Sequence, residues 1–305
     1  VYAQSNLANL FRSGRGVDQN FVEAEKLYRK AAEQGDVNAQ NSLGTMYHNG
    51  QGVPLNYEEA VNWYRKAAGQ GNAESQFNLA LCCENGDGVA QDYEEAASWY
   101  RKAAEQGNVG AQINLACSYE NGEGVDQDYE EAMKWYREAA EQGDVDTQVN
   151  LGSRYENGDG VTQDLAEAAK WYRKAAEQGE PTAQFNLAYS YDNGDGVAQD
   201  YEEAARWYLK AAEQGDANAQ FNLALSYENG EGVAQDYEEA ASWYREAAEQ
   251  GYASAQNNLA NMYESGRGVN ESFEEAVNWY GKAAEQGVAK SQFNLGAMWE
   301  CGRGV

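Results

Sequence analysis

The amino-acid sequence predicts an all-α protein, a solenoid of 36-residue helix-loop-helix repeats. Three observations support this prediction. The chain of 305 residues aligns with itself at an offset of 36 residues, each period carries two apolar stripes with helical spacing, and cap residues and glycines recur where those helices would begin and end. A fixed period of this length is typical of units that cannot bury their apolar faces alone and therefore stack on their neighbours.

One glutamine and one tryptophan per repeat mark the period, with Leu27 in the first tryptophan position. The glutamines are Gln4, Gln40, Gln76, Gln112, Gln148, Gln184, Gln220, Gln256 and Gln292, and the tryptophans are Trp63, Trp99, Trp135, Trp171, Trp207, Trp243 and Trp279. Because the period runs from end to end, we expect one solenoid domain over residues 1–305, with about eight and a half repeats.

The first helix of each repeat, helix A, is well defined in the repeat 216–251. Its apolar residues Ala219, Leu223, Ala224 and Tyr227 fall on one side at helical spacing. Asp216 precedes them, and its side chain is expected to accept hydrogen bonds from the first-turn amides. We expect helices A to start near residues 1, 37, 73, 109, 145, 181, 217, 253 and 289.

The second helix, helix B, begins at Tyr237 and carries alanines and Tyr244 on one flank, with charged residues on the other. Asp236, followed three residues later by Glu239, predicts a capping box. Gly251 predicts the end of the helix, since a left-handed cap there has no side-chain clash. The ninth repeat is expected to lack helix B.

The loop between the helices, Asn229-Gly230-Glu231-Gly232-Val233, completes a characteristic pattern. The run A-Q-x-N-L-A/G-x-x-Y-x-x-G-x-G-V followed by D-Y-E-E-A-x-x-W-Y-x-K-A-A-E-Q-G resembles the Sel1-like repeat family, relatives of the tetratricopeptide repeats with a longer inter-helix loop. The resemblance implies a right-handed α/α superhelix that acts as an adaptor or scaffold in protein complexes. The disulfides of a cysteine-rich branch are not implied, because Ala68 and Ser75 stand where its cysteines would be.

Charge and hydropathy narrow the choice of partners. With 50 acidic and 22 basic side chains the net charge is −28, so the chain would repel nucleic acid and anionic membrane surfaces. The longest apolar run is five residues, Leu79 to Cys83, which predicts a soluble chain with no direct membrane insertion. The sequence indicates no particular compartment. A protein or an extended peptide is the expected partner, and self-association through solenoid ends without polar caps is an alternative.

Enzymatic chemistry finds little support in the sequence. His48 is the only histidine, and its equivalents in the other repeats are mostly carboxylates, so no histidine relay or histidine-rich metal site is expected. The acidic glycine loops lack the ligand order of an EF-hand, and Cys82, Cys83, Cys117 and Cys301 lack zinc-site spacing. We therefore expect no catalytic residue, no metal and no cofactor, and free thiols.

The candidate binding surface is the face of helix A that points away from the buried stripe, which lines the concave groove in such solenoids. It carries a recurrent asparagine, whose amide both donates and accepts hydrogen bonds, with aromatic and aliphatic side chains beside it. The candidate residues are Phe77, Asn78, Leu81, Ile113, Asn114, Asn150, Phe185, Asn186, Tyr189, Phe221, Asn222, Leu225, Asn258, Phe293 and Asn294. The alternative is that the asparagines bond a neighbouring helix and the apolar residues pack between repeats.

Two functions are consistent with these features. The first is a non-enzymatic scaffold or adaptor that binds a protein or peptide in the groove of helices A. The alternative is a structural repeat array, natural or consensus-designed, without a specific ligand. The acidic outer face of helix B is interpreted as a solvated face, with docking of a basic partner as its alternative.

Overall fold

The computed structural model describes residues 2–304 and confirms the all-α fold class: this part of the chain contains seventeen α-helices and no β-strand. Helices A are α1 (Tyr2–Ser13), α3 (Val37–Asn49), α5 (Ala73–Asn85), α7 (Val109–Asn121), α9 (Val145–Asn157), α11 (Pro181–Asn193), α13 (Ala217–Asn229), α15 (Ala253–Ser265) and α17 (Ala289–Glu300). Helices B are α2 (Phe21–Ala32), α4 (Tyr57–Gly69), α6 (Tyr93–Ala104), α8 (Tyr129–Glu141), α10 (Leu165–Glu177), α12 (Tyr201–Glu213), α14 (Tyr237–Glu249) and α16 (Phe273–Glu285).

The helices start where their cap residues predict. The Asp216 side chain accepts a hydrogen bond from the Ala219 amide at 2.7 Å at the start of α13. Pro181 is the first residue of α11, where its missing amide hydrogen removes no helical bond. Such caps satisfy first-turn amides and account for the start of α13. Helices α15 and α17 instead begin after Tyr252 and Val288 with no side-chain cap bond.

The predicted capping box of helix B forms only in half. The Asp236 carboxylate accepts from the amides of Glu238 and Glu239, at 2.9 and 3.2 Å. The reciprocal bond from the Asp236 amide to the Glu239 carboxylate is absent, because that amide donates instead to the Tyr227 carbonyl of α13 at 2.9 Å. The Asp236 amide thus holds the loop against the end of helix A, so it is not available to complete the capping box.

The glycines serve two different purposes. Gly251 has φ +91° just beyond α14, as the predicted left-handed helix end requires, and open space lies where a Cβ would stand. Gly232, with φ +73°, lies so close to the preceding helix B that a Cβ there would be 1.9 Å from the Tyr201 carbonyl oxygen. The second loop glycine is therefore needed for the approach of consecutive repeats, as well as for the turn.

The chain divides into two compact units, Val1–Thr147 and Gln148–Val305, and the division falls within α9. In each unit the core consists mostly of alanines from helices A and B with one buried tyrosine per helix B, such as Tyr100 in the first unit and Tyr244 in the second. Small alanines allow the helices to approach closely. That residues 1–305 form one continuous solenoid stays a prediction.

Buried glutamines connect successive repeats. In the second unit, the Gln220 amide nitrogen donates to the Ala212 carbonyl at 3.2 Å, and its oxygen accepts from Gln250 Nε2 at 2.8 Å. Gln76 has the same partners in the first unit, Ala68 and Gln106. Because both polar ends of the amide are satisfied, the recurrent glutamine is a structural element of the repeat interface.

Candidate binding surface on helices A

The structure places the predicted site residues at different levels of exposure. Tyr189 and Phe293 are exposed, with 46% and 77% of their surface accessible, and Asn150 is also exposed. The others are half-buried: Phe77, Asn78, Leu81, Ile113, Asn114, Phe185, Asn186, Phe221, Asn222, Leu225, Asn258 and Asn294. The face of helix A that the sequence predicts to be free is thus partly covered by neighbouring helices.

The aromatic residues at the position of Phe221 are covered by helix B of the same repeat. Between ring centroids, Phe221 lies 5.8 Å from Tyr244 on α14 and 5.0 Å from Tyr252, which precedes the next helix A. Phe185 lies 5.9 Å from Tyr208 in the same way. These rings therefore contribute to packing and are half-buried. Phe293 is far more exposed, and no helix B follows α17 in the described residues.

The recurrent asparagines are held by hydrogen bonds within the chain. The amide nitrogen of Asn258 donates to the Tyr244 hydroxyl at 3.1 Å, and Asn114 donates to the Tyr100 hydroxyl at 3.0 Å. Asn222 instead donates to the Asn218 carbonyl of its own helix, at 2.9 Å. Each NH₂ group has a second hydrogen, so these bonds hold the side chain without exhausting its donors.

The tyrosine hydroxyl is the centre of a three-residue network. Tyr244 donates to the Glu228 carboxylate at 2.7 Å while it accepts from Asn258. The network joins helix B of one repeat to its own helix A through Glu228 and to the next helix A through Asn258. Its position is repeated by Tyr100, which bonds Glu84 and Asn114.

Burial raises the pKa of Tyr244 well above its ordinary value, and the hydrogen bond to Glu228 raises it further. Burial and the hydrogen bond to the corresponding glutamate likewise raise the pKa of Tyr100, Tyr172 and Tyr280. The phenol is therefore neutral throughout the physiological range and acts as a hydrogen-bonding group.

The carboxylates of this network are structural residues that the sequence-based expectations did not include. Glu84, Glu120, Glu156, Asp192, Glu228 and Glu264 each accept a bond from the helix B tyrosine. The sequence does carry a signal for them, since an acidic residue recurs sixteen positions before a tyrosine that lies on a buried flank. A buried phenol needs a partner, and this spacing supplies one.

Tyr189 is the exposed aromatic residue of the predicted surface on α11. Its ring lies 6.2 Å from Phe185, one helical turn before it on α11. Residues Phe221, Asn222 and Leu225 occupy the corresponding face of α13. The structure therefore presents an exposed phenol flanked by half-buried apolar edges and amides.

The described residues also bear on membrane insertion and metal binding. No helix within residues 2–304 combines the length and apolar character needed to cross a bilayer. In the described part of the chain, no three His, Cys, Asp or Glu side chains are grouped so that they could hold a metal ion. The four cysteines are free thiols there, with Cys82 and Cys83 buried.

Paired helices of fixed length, a common cap pattern and a recurrent contact between consecutive repeats define an all-helical repeat protein of the solenoid class. The Sel1 repeat family matches residues 1–36, 37–72, 73–108, 109–144, 145–180, 181–216, 217–252 and 253–288. The chain belongs to this family, as the sequence pattern indicated.

Two solved structures illustrate the similarity. A protective antigen present in uropathogenic Escherichia coli strains, which displays an SLR fold, is 42% identical with a TM-score of 0.87; the alignment covers 98% of this chain and 64% of that one. The chain thus spans less than two thirds of that relative. A Sel1 repeat protein from Oxalobacter formigenes is 34% identical with a TM-score of 0.65, covering 97% of this chain and 86% of the other. No curated protein matches the chain.

Proposed function

We propose that the chain is a non-enzymatic scaffold that binds a protein or an extended peptide along its helices A, with the face of α11 and α13 as the main contact. The observation that carries this proposal is the exposure of Tyr189 beside the half-buried Phe185 and Phe221. An accessible aromatic ring on a firmly packed base is the kind of residue that dominates binding energy at protein interfaces.

The amides on this surface support recognition of a peptide backbone. Asn222 is held by its own helix through one hydrogen, which leaves its oxygen and second hydrogen for a ligand. A standard interface needs about 800 Å² on each partner, more than the few side chains that one repeat presents. The ligand would therefore cross several successive helices A, and Asn186 and Leu225 would contribute to the same contact.

The alternative is a structural repeat array without a specific ligand. The inward hydrogen bonds of Asn114 and Asn258 favour this function for those two repeats, because their amides already connect helices. The two functions differ in one measurable respect: a scaffold selects particular peptides through its exposed groups, whereas an array selects none.

The experiment is selection of a random peptide library on the chain, followed by affinity measurement on the Tyr189→Ala variant. Tyr189 is preferred over Phe185 and Phe221 because those two rings pack on buried tyrosines and their loss would disturb the fold. We expect the selected peptides to bind Tyr189→Ala roughly tenfold more weakly, about 1.4 kcal/mol.

Tyr129→Ala is the matched control. Tyr129 is exposed to the same extent as Tyr189, 46%, but it begins helix B of another repeat. Its variant should bind the selected peptides as the unaltered chain does. Failure to enrich any peptide would favour the structural array, and equal weakening by both variants would move the contact away from helices A.

A further inference from the structure

In five repeats, the helix B tryptophan is followed three residues later by a lysine. The ammonium of this lysine lies over the indole ring. The distance from Nζ to the ring centroid is 3.6 to 3.9 Å. The pairs are Trp63/Lys66, Trp99/Lys102, Trp171/Lys174, Trp207/Lys210 and Trp279/Lys282. The chain thus shows five times that this indole face accepts a primary ammonium.

Trp243 is the exception. Glu246 stands where the lysine would be, so the indole face has lost its cation. Trp135 also has a glutamate, Glu138, at that position, but there Lys134 covers the ring at 5.2 Å. The residue equivalent to Lys134 is Ser242, and within residues 2–304 no basic side chain covers Trp243.

A second cation is missing beside the same ring. In the first unit, Arg65 of one helix B pairs with Glu95 of the next at 3.2 Å. The equivalent positions in the second unit are Leu209 and Glu239, so Glu239 has lost the arginine that its counterpart binds. Two basic side chains of the repeat pattern are therefore absent from the surroundings of Trp243, and one carboxylate has been added.

These changes surround a cleft of about 350 Å³. Trp243 and Ser242 line it together with three carboxylates, Glu213 from the end of α12 and Glu239 and Glu246 from α14. In the part of the chain that the structure describes, none of these carboxylates forms an ion pair. The cleft therefore joins an indole face to negative charge without an internal counterion.

We propose that this cleft binds the side chain of a lysine from a partner protein, with the ammonium over the Trp243 ring and paired with the carboxylates of Glu246 and Glu239. The five internal lysines show which chemical group fits the indole face, and at Glu246 and Leu209 the Lys and Arg of the repeat pattern are missing. The equivalent cleft at Trp99 has about the same volume, 390 Å³, but there Lys102 supplies the ammonium. The net charge of −28 would attract a basic partner to it. This site lies on helix B and does not depend on the surface proposed for helices A.

The probe is the peptide acetyl-Gly-Gly-Lys-Gly-Gly-amide, compared with peptides in which norleucine or acetyl-lysine replaces the lysine. Binding is followed by the NMR shift of the assigned Trp243 indole N–H during titration of the full chain. We expect the lysine peptide to shift this signal in a saturable way. The norleucine and acetyl-lysine peptides should leave it unchanged, because they lack the ammonium.

The decisive variant is Glu246→Lys. It makes the helix B segment 229–251 identical to segment 85–107 apart from Asp87 and Glu231 in the loop, and segment 85–107 folds with Lys102 over Trp99. The variant should therefore fold and place its own ammonium over the Trp243 ring, which should weaken lysine-peptide binding roughly tenfold or more. Leu209→Arg, which restores the other missing cation, should weaken it in the same direction.

Glu249→Lys is the control for net charge, since it makes the same change on the exposed end of α14 and outside the cleft. It should bind the lysine peptide nearly as the unaltered chain does. The proposal is overturned if Glu246→Lys binds as tightly as Glu249→Lys, if the norleucine peptide gives the same shift, or if magnesium ion alone gives that shift and displaces the lysine peptide.

Discussion

The hydroxyl of Tyr244 lies 2.7 Å from the carboxylate of Glu228, and the same hydroxyl accepts a hydrogen bond from Asn258 of the next repeat. One buried phenol thus connects three helices, α13, α14 and α15. A hydrogen bond to a charged group contributes more to stability than one between neutral groups, because the carboxylate would otherwise lose part of its solvation without compensation.

Replacing Tyr244 by Phe removes this hydroxyl while keeping the ring. We expect the free energy of unfolding to fall by about 1.5–3 kcal/mol, the range for bonds to charged groups. The measurement is urea unfolding followed by circular dichroism. Tyr237→Phe is the control, because the Tyr237 hydroxyl bonds the exposed Gln235 and water can replace it. Equal losses in the two variants would contradict the structural role of the network.

His48 stands where the following repeats carry a carboxylate, and its replacement by glutamate should complete the network there. His48 Nδ1 is buried and has no hydrogen-bond partner in residues 2–304, and the Tyr64 hydroxyl donates only to Thr45, at 3.3 Å. We expect His48→Glu to stabilise the chain by about 1 kcal/mol, because Glu84 already shows that a carboxylate at this position accepts the tyrosine bond.

The double variant His48→Glu with Tyr64→Phe tests the cause. Without the hydroxyl the new carboxylate has no partner, so the gain should vanish or become a loss. A gain that survives in the double variant would show that relief of the histidine, rather than the new bond, stabilises the chain.

The fold could be predicted almost completely from the sequence, because each local signal is repeated many times and all signals agree. Asp216, Gly251 and the stripe through Leu223 fix the helices without knowledge of tertiary contacts. The half-formed capping box could not be predicted, since it depends on the Tyr227 carbonyl reaching the Asp236 amide across the loop.

The candidate surface was harder to predict than the fold. The helical wheel places Asn258 and Phe221 away from the stripe of helix A, but it cannot show that Tyr244 from helix B lies beside both. Exposure at these positions depends on the neighbouring helix, so Tyr189 and Phe293 are the only exposed aromatic residues among the candidates.

Substitution by alanine should lower stability by different amounts at the two kinds of glycine. Gly251→Ala places a side chain at φ +91° in open space, so it should cost only the backbone strain, about 1–2 kcal/mol. Gly232→Ala incurs a similar strain and also brings a Cβ within 1.9 Å of the Tyr201 carbonyl oxygen, so it should cost clearly more. Comparison of their melting temperatures isolates the close approach between repeats, and equal values would contradict it.

The thiols should react in an order set by burial. Cys301 is exposed and should be modified by a maleimide in the native protein, whereas Cys82 and Cys83 are buried. Burial raises the pKa of Cys82 to about 12 and that of Cys83 to about 11, which lowers the thiolate fraction further. Peptide mapping after timed labelling should find Cys82 and Cys83 modified only when denaturant is added, and early labelling of either would contradict the packing of α5.

The buried tyrosines predict a loss of stability in alkali. Their pKa is raised in the folded chain by burial, and in Tyr64 the pKa reaches about 12. An unfolded tyrosine ionises near pH 10, so above that pH the unfolded chain binds fewer protons than the folded one and stability falls as pH rises. The tyrosines with raised pKa on helices B are Tyr28, Tyr64, Tyr100, Tyr136, Tyr172, Tyr208, Tyr244 and Tyr280.

The contribution of each tyrosine is complete below about pH 10 and is lost as the pH rises from there toward its folded pKa. Above about pH 10, each tyrosine that stays protonated only in the folded chain lowers the free energy of unfolding by about 1.4 kcal/mol per pH unit. Because eight tyrosines contribute, the free energy of unfolding should fall steeply with pH. Tyrosinate absorbance and circular dichroism, recorded in one alkaline titration, should show two phases. The exposed tyrosines should ionise first without loss of helix, and the buried ones should ionise together with unfolding. A single phase that is complete while the helical signal is intact would show that the phenols are open to solvent.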